Sequence, residues 1–180
     1  MGETTLLYYL QHFLYVNDME NDHRSLTMSE IMTPEKVNFA GNIHGGYLLK
    51  LIDQVAYACA ARYSGCYVVT LSVDQVVFKQ PVYVGELIIC YANINYVGRT
   101  SMEVGIKVVA ENLTTGERRH TNSCYVTMVA VDEKIKPVTI KPLTPQNEIE
   151  QRRFEEAKIR RETRIKMSQE HARRKNQSLK

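Results

Sequence analysis

A single apolar helix followed by several long strand-like segments is the feature that most constrains the fold of this chain. Residues 100–111 show the clearest strand pattern, because apolar residues at every second position alternate with mostly polar ones. Comparable segments lie at 67–78, 86–97 and 118–131, with a shorter one at 25–32. This order predicts an α+β fold in which the helix packs on one face of an antiparallel sheet.

The helix is indicated by an apolar stripe in which Leu48, Ile52, Val55 and Cys59 follow one another at intervals of 4, 3 and 4 residues. Asp53 lies about two turns inside this helix, among apolar neighbours. A buried carboxylate needs a hydrogen-bond donor or a counter-charge, so Asp53 is a candidate functional residue. Its position alone fits an aspartate on the exposed edge of an amphipathic helix equally well.

The loop before the helix contains Gly41, Gly45 and Gly46. Glycines allow positive φ angles and close approach to a ligand, and we expect the helix to begin at about 44–46 with unpaired N–H groups. Such groups and the helix dipole attract an anion or a developing oxyanion, for example that of a thioester carbonyl. A Gly-Gly pair can also serve only as a tight turn, and the spacing here is not that of a dinucleotide-binding loop.

Four segments together resemble one known family. They are 38–53 (NFAGNIHGGYLLKLID), 69–74 (VTLSVD), 78–86 (FKQPV followed by VGE) and 98–101 (GRTS). In this order they are similar to the hotdog-fold acyl-CoA thioesterases of the bacterial and brain-type acyl-CoA hydrolase group. The resemblance implies a curved antiparallel sheet wrapped around one long central helix. It also implies a double-hotdog dimer with active sites at the subunit interface, assembly of dimers in threes, and acyl-CoA as substrate without a separate cofactor.

The resemblance also implies roles for particular residues. Asp53 matches the helix carboxylate of the family and would act as the general base that deprotonates water, or alternatively as a nucleophile. Asn38 matches a loop asparagine that faces the carboxylate of the neighbouring subunit, although asparagine in a loop is often only a turn residue. The backbone N–H groups of Gly45 and Gly46 would stabilise the oxyanion. We expect His44 to be a helix-start residue that flanks the substrate rather than a catalytic base.

Coenzyme A carries several phosphates, so a basic residue is expected near the mouth of its tunnel. Arg99, flanked by the hydroxyls of Thr100 and Ser101, is the first candidate, since a guanidinium binds phosphate through two hydrogen bonds. Lys79 is the second, and the Thr70 hydroxyl is a candidate for lining the acyl pocket. Each of these residues has a plain alternative, because charged turn residues and strand threonines are common.

Two other functions remain open at this point. A hotdog hydroxyacyl-thioester dehydratase uses a histidine and an acid, and His44 with Asp53 offer that pair, but the proline-rich motif around the histidine of that family is missing. The domain could also be a non-catalytic acyl-CoA-binding sensor, although the pairing of Asp53 with Asn38 suits hydrolysis better. Water addition to an enoyl-CoA, or binding without turnover, would distinguish these alternatives.

Composition is consistent with one cytoplasmic domain without a metal site. The chain has 180 residues, 44% of them hydrophobic, and a formal net charge of +3. Its four cysteines show no Cys-x-x-Cys pairing and its five histidines form no spaced cluster, so we expect reduced thiols and no metal. The polar residues that interrupt the apolar run in 1–18 argue against a signal peptide or a membrane span, and translation from Met19 is an alternative start.

The sequence divides into an N-terminal extension at 1–24, a hotdog domain at 25–135, and a proline-containing linker with a charged C-terminal helix at 136–180. Thr144 is the expected N-cap of that helix, with Pro145 at its first position. Basic residues outnumber acidic ones in the helix, and we expect it to be solvated and to pack on a neighbouring subunit. Binding to nucleic acid or an anionic membrane is less favoured.

Overall fold

The computed structural model of the protein describes residues 23–177, so the expectations for the N-terminal run at 1–18 and for Met19 lie outside the described residues. The described chain forms five strands, two α-helices and one short 3-10 turn at Pro34–Lys36. The strands are β1 (Ser25–Ile31), β2 (Tyr67–Val73), β3 (Leu87–Val97), β4 (Ser101–Glu111) and β5 (Arg118–Val131), and the helices are α1 (Gly45–Ser64) and α2 (Glu148–Gln177). All pairings are antiparallel, in the order β1-β3-β4-β5-β2.

The core lies between α1 and the inner face of this curled sheet, and α1 contacts all five strands. The predicted stripe of Leu48, Ile52, Val55 and Cys59 is buried there, none of its members being more than 3% exposed. Alternate residues of β3, β4 and β5 cover the stripe from the other side. The helix ends where Gly65 takes a φ of +66°, a conformation that residues with a Cβ disfavour. The predicted α+β architecture is confirmed.

Strand boundaries follow the sequence closely except at β2. The strand predicted at 118–131 is confirmed, but the one predicted to run to Phe78 ends at Val73, so that boundary is wrong. Beyond Val73 the chain stays beside β5 through bonds from Asp74 N to Tyr125 O and from Lys79 N to Thr121 O, each 2.9 Å long. The five steps from Asp74 to Lys79 therefore lie opposite only four steps of β5, from Tyr125 to Thr121, which a regular ladder does not allow.

The charged C-terminal helix forms as predicted, but its predicted start is wrong. It begins at Glu148, and Asn147 rather than Thr144 supplies the cap, since Asn147 Oδ1 accepts a hydrogen bond from Glu150 N at 2.9 Å. Glu150 in turn accepts from the Asn147 side-chain amide at 3.0 Å, so two hydrogen bonds join these residues. The first half of α2 packs on the outer face of its own sheet, where Ala157 is fully buried.

Two further observations concern the described part of the chain as a whole. Within residues 23–177, neither helix combines the length and the apolar character that crossing a membrane requires. The four cysteines are free thiols, of which Cys59, Cys90 and Cys124 are buried and Cys66 is half-buried. Burial raises the pKa of each of the three buried thiols to about 12, so they remain protonated at neutral pH.

Candidate active site

Asp53 and Thr70 come together across the boundary between helix and sheet. Asp53 lies on α1 and is half-buried, and Thr70 lies on the edge strand β2 and is exposed in the single chain. The Thr70 hydroxyl donates a hydrogen bond of 2.7 Å to Asp53 Oδ1. One carboxylate oxygen is thereby held in place, while Oδ2 makes no hydrogen bond within the described residues. The expectation that Thr70 lines the acyl pocket stays a prediction, and the structure adds a direct contact between Thr70 and the candidate base.

His44 is the N-cap of α1, which agrees with its expected place at the helix start. Its Nδ1 accepts a hydrogen bond of 2.8 Å from Gly46 N, so this Gly46 amide is already engaged. A Cβ at Gly46 would lie 2.9 Å from the same ring nitrogen, which explains the glycine there. Only Gly41 of the three loop glycines has a positive φ, at +82°, so the expectation that Gly45 and Gly46 share this property is wrong. They allow close packing instead.

Gly45 provides the open amide at this helix start. Its N–H donates to no acceptor in the part of the chain that the structure describes, and it belongs to the first turn of α1, where amides lack intrahelical partners. A Cβ at Gly45 would lie 3.4 Å from the ring of Phe78, so that ring closes one side of the position. Phe78 is itself 44% exposed. An unpaired amide beside an exposed aromatic ring is suited to a polarised carbonyl on an apolar ligand.

Asn38 organises the loop that leads into the helix. Its Oδ1 accepts hydrogen bonds from Ala40 N at 2.9 Å and from Asn42 N at 3.2 Å, which is the turn-forming role weighed from the sequence. Its side-chain amide donates to no acceptor within residues 23–177. Neighbouring Phe39 is fully exposed in the single chain. The loop therefore exposes one aromatic ring and leaves the Asn38 amide available as a donor, and within the described residues Asn38 makes no hydrogen bond to Asp53.

A charged cluster holds the loop that leads into α1. Glu30 on β1 accepts from Lys36 Nζ at 2.6 Å and from the Tyr47 hydroxyl at 2.5 Å, and Lys36 Nζ lies 4.8 Å from the centre of the Tyr47 ring. Partial burial raises the pKa of Glu30, but these two hydrogen bonds together with the charges of Lys36 and Lys50 hold its net pKa below the usual value for a glutamate. The cluster joins β1, the 3-10 turn and the first turn of α1, which positions His44 and Gly45.

A second ion pair was not anticipated from the sequence. Glu86 is 4% exposed, and Arg119 binds both of its oxygens, at 2.8 and 3.0 Å. Tyr83 N also donates to Glu86, at 2.9 Å. Val82 O, in the loop that this ion pair holds, accepts a hydrogen bond of 2.8 Å from Ile43 N. The pair therefore positions the residue just before the N-cap of α1, yet the two partners lie 33 residues apart and no local pattern connects them.

The predicted phosphate-binding turn lies at the same level of the sheet as the Asp53–Thr70 pair. Ser101 is opposite Val129, and Val129 is opposite Val69 on β2. Two strand spacings, about 10 Å, therefore separate the turn from the residue beside Thr70. Backbone bonds hold the turn, including Gly98 N to Ser101 O at 2.7 Å, and the Arg99 side chain is exposed while Thr100 and Ser101 are half-buried. Lys79 is also exposed, directly after Phe78.

A metal centre is not indicated by the described residues, since residues 23–177 contain no group of three or more metal-ligating side chains. The described residues offer a carboxylate, a hydroxyl that orients it and, about 12 Å away along α1, a free helix-start amide. Such a set suits attack of water on a carbonyl carbon.

A curled antiparallel sheet wrapped around one long helix, with a carboxylate and a helix-start amide at its edge, is the architecture of hotdog-fold hydrolases. The sequence profile of the thioesterase superfamily matches residues 40–117. Protein VdlD of Helicobacter pylori is 50% identical over 155 residues, which cover 86% of this chain and 88% of that protein. The chain belongs to the thioesterase superfamily, which confirms the family resemblance and the hotdog fold.

Solved structures agree with this assignment. An acyl-CoA thioesterase solved as an apo hexamer is 39% identical in sequence to this protein. The match covers 80% of this chain and 92% of that chain, with a TM-score of 0.77. An acyl-CoA hydrolase from Staphylococcus aureus, solved with butyryl coenzyme A and coenzyme A, is 26% identical over 87% of this chain and 95% of its own, also with a TM-score of 0.77. The expectation that the chain is an enzyme is thereby confirmed.

The staphylococcal hydrolase offers one further comparison. It has been solved with an asparagine, an aspartate and a threonine each replaced by alanine. In that chain the asparagine precedes the aspartate by 15 positions and the threonine follows the aspartate by 17. Asn38, Asp53 and Thr70 have the same residue types in the same order and at the same two spacings.

Proposed function

We propose that the protein hydrolyses acyl-CoA thioesters to free acid and coenzyme A, with Asp53 as the general base. The observation that carries this proposal is the 2.7 Å bond from the Thr70 hydroxyl to Asp53 Oδ1, which orients the carboxylate at the edge of the sheet. The matched spacing of Asn38, Asp53 and Thr70 with the three substituted positions of the staphylococcal hydrolase supports the same site.

The chemistry follows from which atoms are already engaged. Asp53 Oδ1 is occupied by Thr70, so Oδ2 takes the proton from a water molecule as its oxygen attacks the thioester carbon. The carbonyl oxygen becomes an oxyanion and accepts a hydrogen bond from the Gly45 amide of a second copy of the chain, because about 12 Å of helix separates Gly45 from Asp53 within one chain. The Gly46 amide joins only when the His44 ring turns away from it. Collapse of the intermediate expels the coenzyme A thiolate, which receives the proton from Asp53.

The site is completed by a second copy of the chain. Strand β2, which carries Thr70, is an unpaired edge strand, and its apolar residues are exposed, with Tyr67 at 55% and Leu71 at 68%. Such an edge is expected to be covered by another strand. Antiparallel pairing of β2 with β2 of a second copy makes a double-hotdog dimer and brings the Asn38 amide, with Gly45 at the start of the same helix, toward the other copy's Asp53. Three such dimers form the hexamer that we propose, in line with the hexameric neighbour.

Recognition of the coenzyme A phosphates is assigned to the turn at 98–101. Arg99 is exposed there and the Thr100 and Ser101 hydroxyls flank it, while the backbone of the turn is held by hydrogen bonds on both sides. Lys79 is a second cation beside the Phe78 ring. Removing the Arg99 charge should raise KM for acyl-CoA while leaving hydrolysis of a thioester that lacks the nucleotide unchanged.

The decisive experiment measures thiol release from acyl-CoAs of increasing chain length by the wild type and by Asp53→Asn. We expect a loss of about a hundredfold or more, as removal of a general base predicts. Glu133→Gln is the matched control, since it makes the same carboxylate-to-amide change at an exposed position after β5. An Asp53→Asn variant as active as the control would refute the assignment.

The alternatives give different results in the same assays. Single turnover in ¹⁸O-labelled water places the label in the acid product when Asp53 acts as base, and in the Asp53 side chain when Asp53 is the nucleophile and water attacks Cγ of the mixed anhydride. Trapping the acyl group on Asp53 with hydroxylamine detects the anhydride whichever carbon water attacks. Acyl-CoA binding without turnover would favour a sensor. Faster addition of water to an enoyl-CoA than hydrolysis of the thioester would favour a dehydratase.

A further inference from the structure

Helix α2 crosses the outer face of the sheet in the spatial order of the strands. Its N-terminal part lies near the β1 edge, its middle lies over β3 and β4, and it then reaches the end of β2. The contacts that mark this path are Glu150 with Arg24 before β1 (3.1 Å), Phe154 with Tyr96 of β3 (ring centres 5.1 Å apart), Arg160 with Glu103 of β4 (2.7 Å), and Arg164 with Asp74 after β2 (2.5 Å).

The lengths of helix and sheet agree with this path. Five strands span four spacings, or about 19 Å, and the helix rises about 21 Å between Glu150 and Arg164. A cavity of about 500 Å³ between β2 and the helix is lined by Leu71 and Ser72 on one side and by Ser168 and Gln169 on the other. The helix is therefore still beside β2 at Gln169, and it continues to Gln177, about 12 Å further.

Within residues 23–177, the sheet does not cover the final turns of α2. Every residue from 165 to 175 is exposed. A helical extension of this length is marginal in water when it packs on nothing. The face that packs on the sheet at Phe154, Ala157 and Arg164 continues at helical spacing through Ser168 and Ala172, whose small side chains permit close approach to another surface.

We infer that the last turns of α2 lie on the outer face of the second copy in the dimer and so strap the two sheets together. This inference rests on the proposed pairing of β2 with β2, because that pairing puts the partner's sheet directly beyond the edge that α2 reaches. A projection of about 12 Å covers two strand spacings of the partner. The contact is continuous with the edge interface and, by two-fold symmetry, is made twice.

Isotope-mixed cross-linking tests the strap directly. Unlabelled and ¹⁵N-labelled full-length proteins, each already assembled, are mixed so that their subunits exchange. The mixture is then treated with a short lysine-reactive cross-linker. Links from Lys175 should join labelled to unlabelled chains, because Lys175 lies on the final turns. Lys158 is the internal control, since it lies where α2 packs on its own sheet and should link within one chain. Lys175 links confined to single chains would overturn the inference.

Two substitutions of equal charge change test the energetics. Ala172→Glu places a carboxylate on the proposed contact face, whereas Ile159→Glu makes the same change at a residue that is 64% exposed over its own sheet. We expect Ala172→Glu to raise the dimer dissociation constant, measured by analytical ultracentrifugation, by about tenfold or more, and Ile159→Glu to leave it within about twofold. Equal effects would contradict the strap.

The same experiments separate this inference from the function on which it rests. If the protein is a dimer with only intrachain Lys175 links, the strap is refuted and the β2 pairing stands. If the protein is a monomer, both are refuted. Thiol release that depends on Asp53 is measured independently, so loss of the strap and loss of the thioesterase assignment give different results.

Discussion

Replacing Arg119 with methionine should destabilise the protein far more than the same change at its neighbour Arg118. Arg119 binds both oxygens of Glu86, which is 4% exposed, whereas Arg118 is 59% exposed and bonds Glu111 at 2.7 Å. Removing Arg119 leaves a buried carboxylate with the Tyr83 amide as its donor. Breaking a buried pair from one side costs about 3–5 kcal/mol, and the partial exposure of Arg119 places this pair near the lower value.

An exposed ion pair contributes about 0–1 kcal/mol, so Arg118→Met serves as the matched control. For a chain of this size, about 3 kcal/mol corresponds to a fall in Tm of roughly 6–12 °C. Urea unfolding and calorimetry at one fixed protein concentration measure both variants, because oligomerisation makes apparent stability depend on concentration.

Combining Glu86→Gln with Arg119→Met should recover part of the loss, since the charge left without a partner is removed and the amide oxygen still accepts from Tyr83 N. If Arg119→Met and Arg118→Met lower the free energy of unfolding equally, or if the double variant is no better than Arg119→Met, the argument from the buried pair fails. A loss of thiol-release activity larger than the unfolded fraction explains would show that the pair also positions Ile43 and the helix start.

Three further predictions concern separate parts of the fold. In native protein at pH 8, a thiol reagent should modify Cys66 alone. The other three thiols, Cys59, Cys90 and Cys124, should react only on unfolding, because burial holds their pKa at about 12. Rapid reaction of two or more thiols would contradict this. Gly65→Ala should cost about 1–2 kcal/mol in urea unfolding, since φ is +66° and nothing lies within 4 Å of the added Cβ, and an unchanged midpoint would count against this. The folded pKa of Glu30 lies below its ordinary value, so the stabilising effect of Glu30 is present above the ordinary pKa and is lost as pH falls through the folded pKa. The difference in unfolding free energy between wild type and Glu30→Gln should therefore shrink in acid, and a constant difference would refute the argument.

The parts of the fold that the sequence predicted are those with local periodicity. The stripe on α1 and the bounds of β5 follow from patterns within about a dozen residues. The end of β2 is not visible in the sequence because apolar residues continue to Phe78, while the register with β5 shifts between Thr70 and Ser72 and the regular ladder ends at Val73. The start of α2 was missed because Thr144 with Pro145 and Asn147 with Glu150 both resemble helix starts, and only the folded chain selects the second.

The candidate site was predicted in its components but not in its contacts. Asp53, Gly45 and the helix start could be identified because a carboxylate in an apolar helix and a glycine pair before it are visible in the sequence. The bond from Thr70 to Asp53 depends on how β2 packs against α1, and the bond from Gly46 to His44 on one ring orientation. The Glu86–Arg119 pair needs tertiary contact across β-strands, which no short window records.

The path of α2 has a consequence for how the chain matures during synthesis. Its N-terminal part binds Arg24, whose partner Glu150 comes 126 residues later, and its middle covers the carboxylate of Glu103 with Arg160. At about 5–20 residues per second, the 30 residues of this helix take roughly 2–6 s to be made. Until α2 packs, the outer face of the sheet is uncovered and Glu103 lacks its contact with Arg160, while the edge at β2 is open. A nascent chain in this state is exposed to mispairing with other chains, and packing of α2 protects the outer face.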